Sequence, residues 1–182
     1  MYFDKSGKDN TQQTLELAAQ RAKELEIKEV VVASVSGFTA YKAIEIFDGP
    51  RIMVVTYHSG FKEPFKSEMP EKIKKDLHKK GVTVIAASHA LSGVERSIAK
   101  KHSGVYPVLI VADALRLFGQ GTKVAVEVTV MAADAGALSG SDVIAIGGSG
   151  HGADTALVLK PAHQNNFFDI RIREIICKPR KF

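Results

Sequence analysis

Four short segments carry the residue types from which a binding site is built: Ser34-Val35-Ser36-Gly37, Tyr57-His58-Ser59-Gly60, Ser88-His89-Ala90-Leu91-Ser92-Gly93 and Gly147-Gly148-Ser149-Gly150-His151-Gly152. Glycines let backbone N–H groups approach a ligand, hydroxyls donate to phosphate oxygens, and a helix starting just after such a loop adds partial positive charge. Ser36-Gly37-Phe38-Thr39 is the sharpest of them, read here as a phosphate cradle. Its plainer reading is a helix cap in which Ser36 bonds its own backbone. His58, His89 and His151 with Asp154 have metal-ligand chemistry, but no HExxH or comparable spacing accompanies them. Hydrogen bonding to a polar ligand is therefore the expectation, and no metal. Glu127 and Asp134 flank an apolar run and are weighed as an acid–base pair against ordinary strand-end carboxylates. Ser88-His89 lacks a GxSxG elbow, which leaves a hydrolase reading weak. Gly148 to Ala153 fits G-x-G-x-x-G/A, yet a strand-like run follows where a dinucleotide fold needs a helix, and no Walker A pattern exists.

These loops need elements to hold them. Leu15, Ala18, Ala19, Ala22 and Leu25 recur at helical spacing between Thr11 and Ile27, with Asn10 as a candidate cap. Glu29 to Ala33 reads as a buried strand running through Ser36-Gly37 into a helix over Thr39 to Ile44. Ile52 to Thr56 is a second strand, Pro70 and Gly81 bracket the next helix, and Val82 to Ala87 is a third strand. Ser92 to Glu95 has capping-box spacing for a helix to about Lys101, and Pro107 opens a nearly all-apolar helix ending at Gly119. Lys123 to Met131 is the longest β-rich run and is taken as a strand, followed by strands at Asp142 to Ile146, Ala156 to Leu159 and Phe168 to Ile176. The pattern predicts one three-layer α/β/α domain over residues 1–182, its sheet mostly parallel with antiparallel closing strands. In such sheets, ligands bind beyond the carboxyl ends of the strands, where all four loops would gather.

Composition limits the alternatives. No apolar run approaches the roughly 20 residues of a bilayer span, and the first residues lack the order of a signal peptide, so a cytoplasmic protein without membrane association is expected. The one cysteine, Cys177, lies beside Ile175 and Ile176, which suggests a buried thiol and excludes an intramolecular disulfide. The net charge of +5 raises nucleic acid as a partner. Its lysines, however, fall in separate clusters at Lys72 to Lys80, Lys100-Lys101 and Lys178 to Lys181, with no zinc-finger or RRM signature among them. The apolar helix from Pro107 to Phe118 predicts either a buried core element or a homo-oligomeric contact.

Val31-Val32-Ala33-Ser34-Val35-Ser36-Gly37, Ser88 to Arg96, Ala132-Ala133-Asp134-Ala135-Gly136 and Gly152-Ala153-Asp154-Thr155-Ala156-Leu157 together resemble the stand-alone proteins built on the pyruvate kinase C-terminal domain. The resemblance spans nearly the whole chain. It implies the pyruvate kinase C-terminal α/β fold, with a sugar-phosphate loop similar to Ser36 to Thr39 and no phosphoryl transfer from phosphoenolpyruvate. Stand-alone members resemble flavoproteins, which implies FMN as the cofactor. On that resemblance the contacts carry over to Ser34, Ser36, Gly37, Thr39, His58, Ser59, Gly60, Ser88, His89, Gly147, Gly148 and Asp154. Phe38 departs from the pattern by replacing a polar residue, and the Gly150-His151 loop varies between members. The implied function is FMN binding as a carrier or sensor. A flavin-dependent oxidoreductase and a basic nucleic-acid-binding protein are the alternatives.

Overall fold

Buried runs of β-branched residues build the centre of the molecule, because such side chains pack well on a pleated surface covered from both sides. A computed structural model describes residues 1–182. Its strands are β1 (Tyr2–Lys5), β2 (Glu29–Ala33), β3 (Arg51–Thr56), β4 (Thr83–Ala86), β5 (Val143–Gly147), β6 (Thr155–Lys160) and β7 (Arg171–Lys181). The helices are α1 (Thr11–Glu24), α2 (Phe38–Ile46), α3 (Glu71–Lys79), α4 (Glu95–His102), α5 (Pro107–Arg116) and α6 (Gln120–Asp134). One seven-stranded sheet runs in the order β1-β7-β6-β5-β2-β3-β4. Every neighbouring pair is parallel except β5 with β6 and β6 with β7. Only β6 therefore runs against the rest, and β1, which sequence patterning did not mark, extends the sheet beside β7.

Alternation along β2 explains the layers. Val30 and Val32 face α1, α2 and α3 through Leu15, Ala18, Ala40, Ala43 and Leu77. Val31, one residue out of phase, faces α6 through Val128, Met131 and Ala132. Farther along α6, Ala125 and Val126 pack on Val143, Ala145, Leu157 and Leu159. Val30, Val31, Ile144 and Leu157 are wholly buried. Each such side chain contributes roughly 1.5–3 kcal/mol of transfer free energy. Cys177 is buried as well, and burial pushes its thiol up to about 11.

The strand expected at Lys123 to Met131 is instead the middle of α6. Its valines and Thr129 gave a strand-like composition, but nearly every residue from Gly121 to Ala133 is buried. A helix enclosed on all sides has no polar face to reveal its period, so packing overrides local propensity. Two caps also differ from expectation. Asn10 makes no capping bond and donates instead to Lys5 O, while the Thr11 hydroxyl donates to Lys8 O at 2.6 Å. Ser92 does not open a capping box: α4 begins at Glu95, whose carboxylate accepts the Val108 amide at 3.2 Å. No helix is long and apolar enough to cross a membrane.

Candidate functional site

The chain leaves β2 toward β3 on one side and returns later to β5 on the other, so the sheet's switch point lies between β2 and β5. A cleft of about 780 Å³ opens there, within the size range of small-molecule sites. The loops after β2 and β5 form two walls, Gly7-Lys8 closes the rim, and one face of α6, with Gln120, Val124, Glu127, Val128 and Met131, forms the floor.

The β2–α2 loop has a physical reason for its shape. Gly37 sits at φ +94°, and a Cβ there would come within 2.7 Å of Ile73 Cγ2, so both backbone and space call for glycine. The buried Ser34 hydroxyl accepts the Ala40 amide at 3.3 Å. No protein acceptor faces the amides of Ser36, Gly37, Phe38 or Thr39. The start of α2 therefore presents a row of free donors at the cleft, with Ser36 and Thr39 beside them. Phe38 holds the Lys8 ammonium 4.4 Å from its ring centroid and so fixes a cation at the same rim.

Deeper in, polar groups are packed tightly. The Lys123 ammonium donates to Glu127 across one helical turn, both side chains 4% exposed, and Glu127 also accepts the Leu91 amide at 3.0 Å. Burial lowers the Lys123 pKa, and the Glu127 carboxylate opposes that shift. His89, which lines the cleft, is likewise pushed below the usual imidazole value by burial, again with Glu127 acting in the other direction. Its Nδ1 is buried without a hydrogen-bond partner, as is the Ser149 hydroxyl. Perturbed ionisable groups and orphaned polar atoms thus gather at one end of the sheet, as they do at many ligand sites.

Of the carried-over residues, Ser34, Ser36, Thr39, His89 and Gly148 line this cleft, with Gly37 shaping it from beneath. His58 and Ser88 line a neighbouring groove, and Ser59 and Gly60 are exposed beyond it. Gly147 lies under the floor, where a Cβ would meet Gly121 O at 2.2 Å, so it permits close approach of α6 to β5. Asp154 is fully buried, accepting the amides of Gly7 and Ser149 and the Thr155 hydroxyl. It ties the rim to the β5 loop.

The Glu127 and Asp134 pairing does not form. Both lie on α6, but Glu127 faces the cleft while Asp134 sits at the helix end with His163 Nδ1 at 3.1 Å. No three His, Cys, Asp or Glu side chains come together as a metal cluster. The basic clusters fall on α3, α4 and β7. Lys8 and every floor residue of α6 except Glu127 were missed by sequence reading. Lys8 carried no local signal, and the floor was concealed by the strand-like composition of its helix.

A family model described as pyruvate kinase, alpha/beta domain, matches residues 12–159. Among solved structures, a pyruvate kinase from Cryptosporidium parvum superposes with a TM-score of 0.45 at 14% identity, covering 84% of this chain and 23% of that one.

Proposed function

Because the chain belongs to the pyruvate kinase, alpha/beta domain family, we propose that its switch-point cleft binds FMN by the phosphate. The observation that carries this reading is the row of unbonded amides from Ser36 to Thr39, set beside the Lys8 ammonium at the mouth of the cleft. Helix N-terminal amides and a cation suit a phosphate dianion. Ser36 and Thr39 add hydroxyl donors, and Val124, Val128 and Met131 supply apolar lining against which a ring can pack. The orphaned polar atoms of His89 and Ser149 add hydrogen-bonding capacity inside the same enclosure. FMN, when bound, supplies hydride or electron transfer at its ring.

FMN should therefore bind more tightly than riboflavin, which lacks the phosphate. Thr39→Ala should weaken FMN by about tenfold or more, through loss of a hydrogen bond to a charged group, and leave riboflavin nearly unchanged. Fluorescence titration of both flavins against both proteins checks this. Equal affinities for FMN and riboflavin would remove the phosphate reading.

An oxidoreductase is the second reading, favoured by the position of His89 and the buried Lys123–Glu127 pair at the inner part of the cleft. Reduction of the flavin-loaded protein by NADH or NADPH separates it from a carrier or sensor.

We also propose that the protein is a homo-oligomer, assembled through α5 and its flanks. Ile110, Leu117 and Phe118 are 55%, 77% and 52% exposed, so this helix is not the buried core element that was the other sequence expectation. Asp113 and Arg116 pair with each other at 2.5 Å, which leaves the patch locally neutral and able to meet its own copy about a two-fold axis. Sedimentation should give a mass above 19.7 kDa at micromolar concentration, and Leu117→Asp should return it to that value. A wild-type monomer overturns this.

A further inference from the structure

His89 is shared between the cofactor cleft and a second groove, of about 570 Å³, on its other side. Its ring lies 4.9 Å from Phe61 and 5.2 Å from His58, while Tyr57 packs on both His89 and Phe61. These four rings form a thin partition between the two spaces.

The groove beyond the partition has an unusual lining. It contains Arg96 and Lys100, the hydroxyl residues Ser88, Ser92 and Ser97, and the two histidines, and it contains no carboxylate. Arg96 and Lys100 lie one turn apart on α4, and neither has an ion-pair partner anywhere in the protein. Arg96 is held over the Phe61 ring with its guanidinium 5.7 Å from the centroid, which ties this cation to the partition. At the start of α4 the amide of Val94, which lines the groove, also lacks any protein acceptor. Two unpaired cations, three hydroxyls and one free amide around one concave space are the donor set for an oxyanion.

We propose that this groove is a second subsite, taking the carboxylate or phosphate of a small anionic molecule and placing the rest of it against the His89 partition, next to the cofactor cleft. It rests on the FMN reading only for what occupies the other side of His89. The anion subsite itself needs only the groove. Arg96 and Lys100 supply charge, and Ser88, Ser97 and the Val94 amide supply directional donors. A molecule anchored there lies within reach of the imidazole that both spaces share.

The test is a proton–nitrogen correlation spectrum of the protein, alone and loaded with FMN, titrated with inorganic phosphate and, separately, with succinate. The expected result is saturable shifts of the Ser88, Val94 and Ser97 amides with at least one of the two anions, whichever binds tighter identifying the headgroup. In the surface double variant R96Q/K100Q these shifts should need about tenfold more anion or disappear, with FMN affinity unchanged. Shifts confined to Ser36 to Thr39, no saturable shift at all, or groove shifts indifferent to R96Q/K100Q overturn the subsite. FMN failing to bind removes the cofactor reading alone, because the cofactor-free titration still decides the groove.

Discussion

Replacing Glu127 by alanine should lower the unfolding free energy by about 3–5 kcal/mol, the range found when one partner of a buried ion pair is removed. Lys123 would keep a charge in a site where its side chain is 4% exposed, and the Leu91 amide would lose its acceptor. The second loss matters for the site as well as for stability. Leu91 belongs to the loop that carries His89, so Glu127 ties that loop to α6. Three further variants separate the contributions. Glu127→Gln restores an acceptor for Leu91 but not the charge, and Lys123→Met strands the carboxylate with one amide donor. Lys123→Met combined with Glu127→Leu removes both charges yet still leaves Leu91 unsatisfied, at roughly 1–3 kcal/mol. Denaturant unfolding should therefore rank Glu127→Ala as the worst of the four.

The pH dependence of Glu127→Ala has a definite sign. Burial already holds the Lys123 pKa down, and without Glu127 nothing raises it. A group with a lowered pKa binds fewer protons folded than unfolded, so stability rises with pH through that interval. The gap between variant and wild type should narrow as pH climbs toward the unfolded lysine value of roughly 10.4. Cys177, with its pKa raised to about 11, acts in the opposite direction in both proteins. Its contribution, present below the unfolded thiol value, fades as pH rises through the folded one, and it cancels in the difference. A Glu127→Ala penalty below about 1 kcal/mol would mean that the pair is solvated and that the floor of the cleft is not the dry environment the geometry describes.

Much of this architecture was legible from local pattern. β2, β3, β4 and β5 are short apolar runs bounded by turn residues, and the loops after them carry the small and hydroxylated residues that a switch point uses. The resemblance to the pyruvate kinase C-terminal domain rested on the loops after β2 and β4, on Ala132 to Gly136 at the end of α6 and on Gly152 to Leu157 running into β6. What local pattern could not show was α6, where burial on every side removes the amphipathic period, and with it the Lys123–Glu127 pair. Spacing also did not separate residues that face the cleft from residues that hold its walls. Gly147 and Asp154 look like ligand contacts in a glycine-rich loop. The fold uses one to let α6 approach and the other to fasten the rim. That division of labour depends on Gly7, which is 147 residues away from Asp154 in the chain.

Asp154→Ala should be the most damaging substitution for the site as a whole. One carboxylate oxygen accepts the Gly7 amide at 3.0 Å and the Ser149 amide at 3.2 Å, and the other accepts the Thr155 hydroxyl at 2.8 Å. Alanine would leave all three donors without an acceptor beneath the cleft, at roughly 1–3 kcal/mol for each group that water cannot reach. Gly7-Lys8 and the Gly148 to Gly152 loop would come loose together, and FMN affinity should fall by more than tenfold even where the protein stays folded. Asp154→Asn discriminates between bracing and direct contact. Its carboxamide oxygen can still accept both backbone amides, and its nitrogen can donate to Thr155 Oγ1, which is able to accept. Stability should drop by about 1 kcal/mol, because bonds to a charged acceptor become bonds to a neutral one, and FMN affinity should stay near wild type. Thermal unfolding and flavin titration of the three proteins decide the matter. If Asp154→Asn keeps the wild-type melting temperature but loses FMN as completely as Asp154→Ala, the carboxylate charge acts on the ligand and the bracing role is wrong.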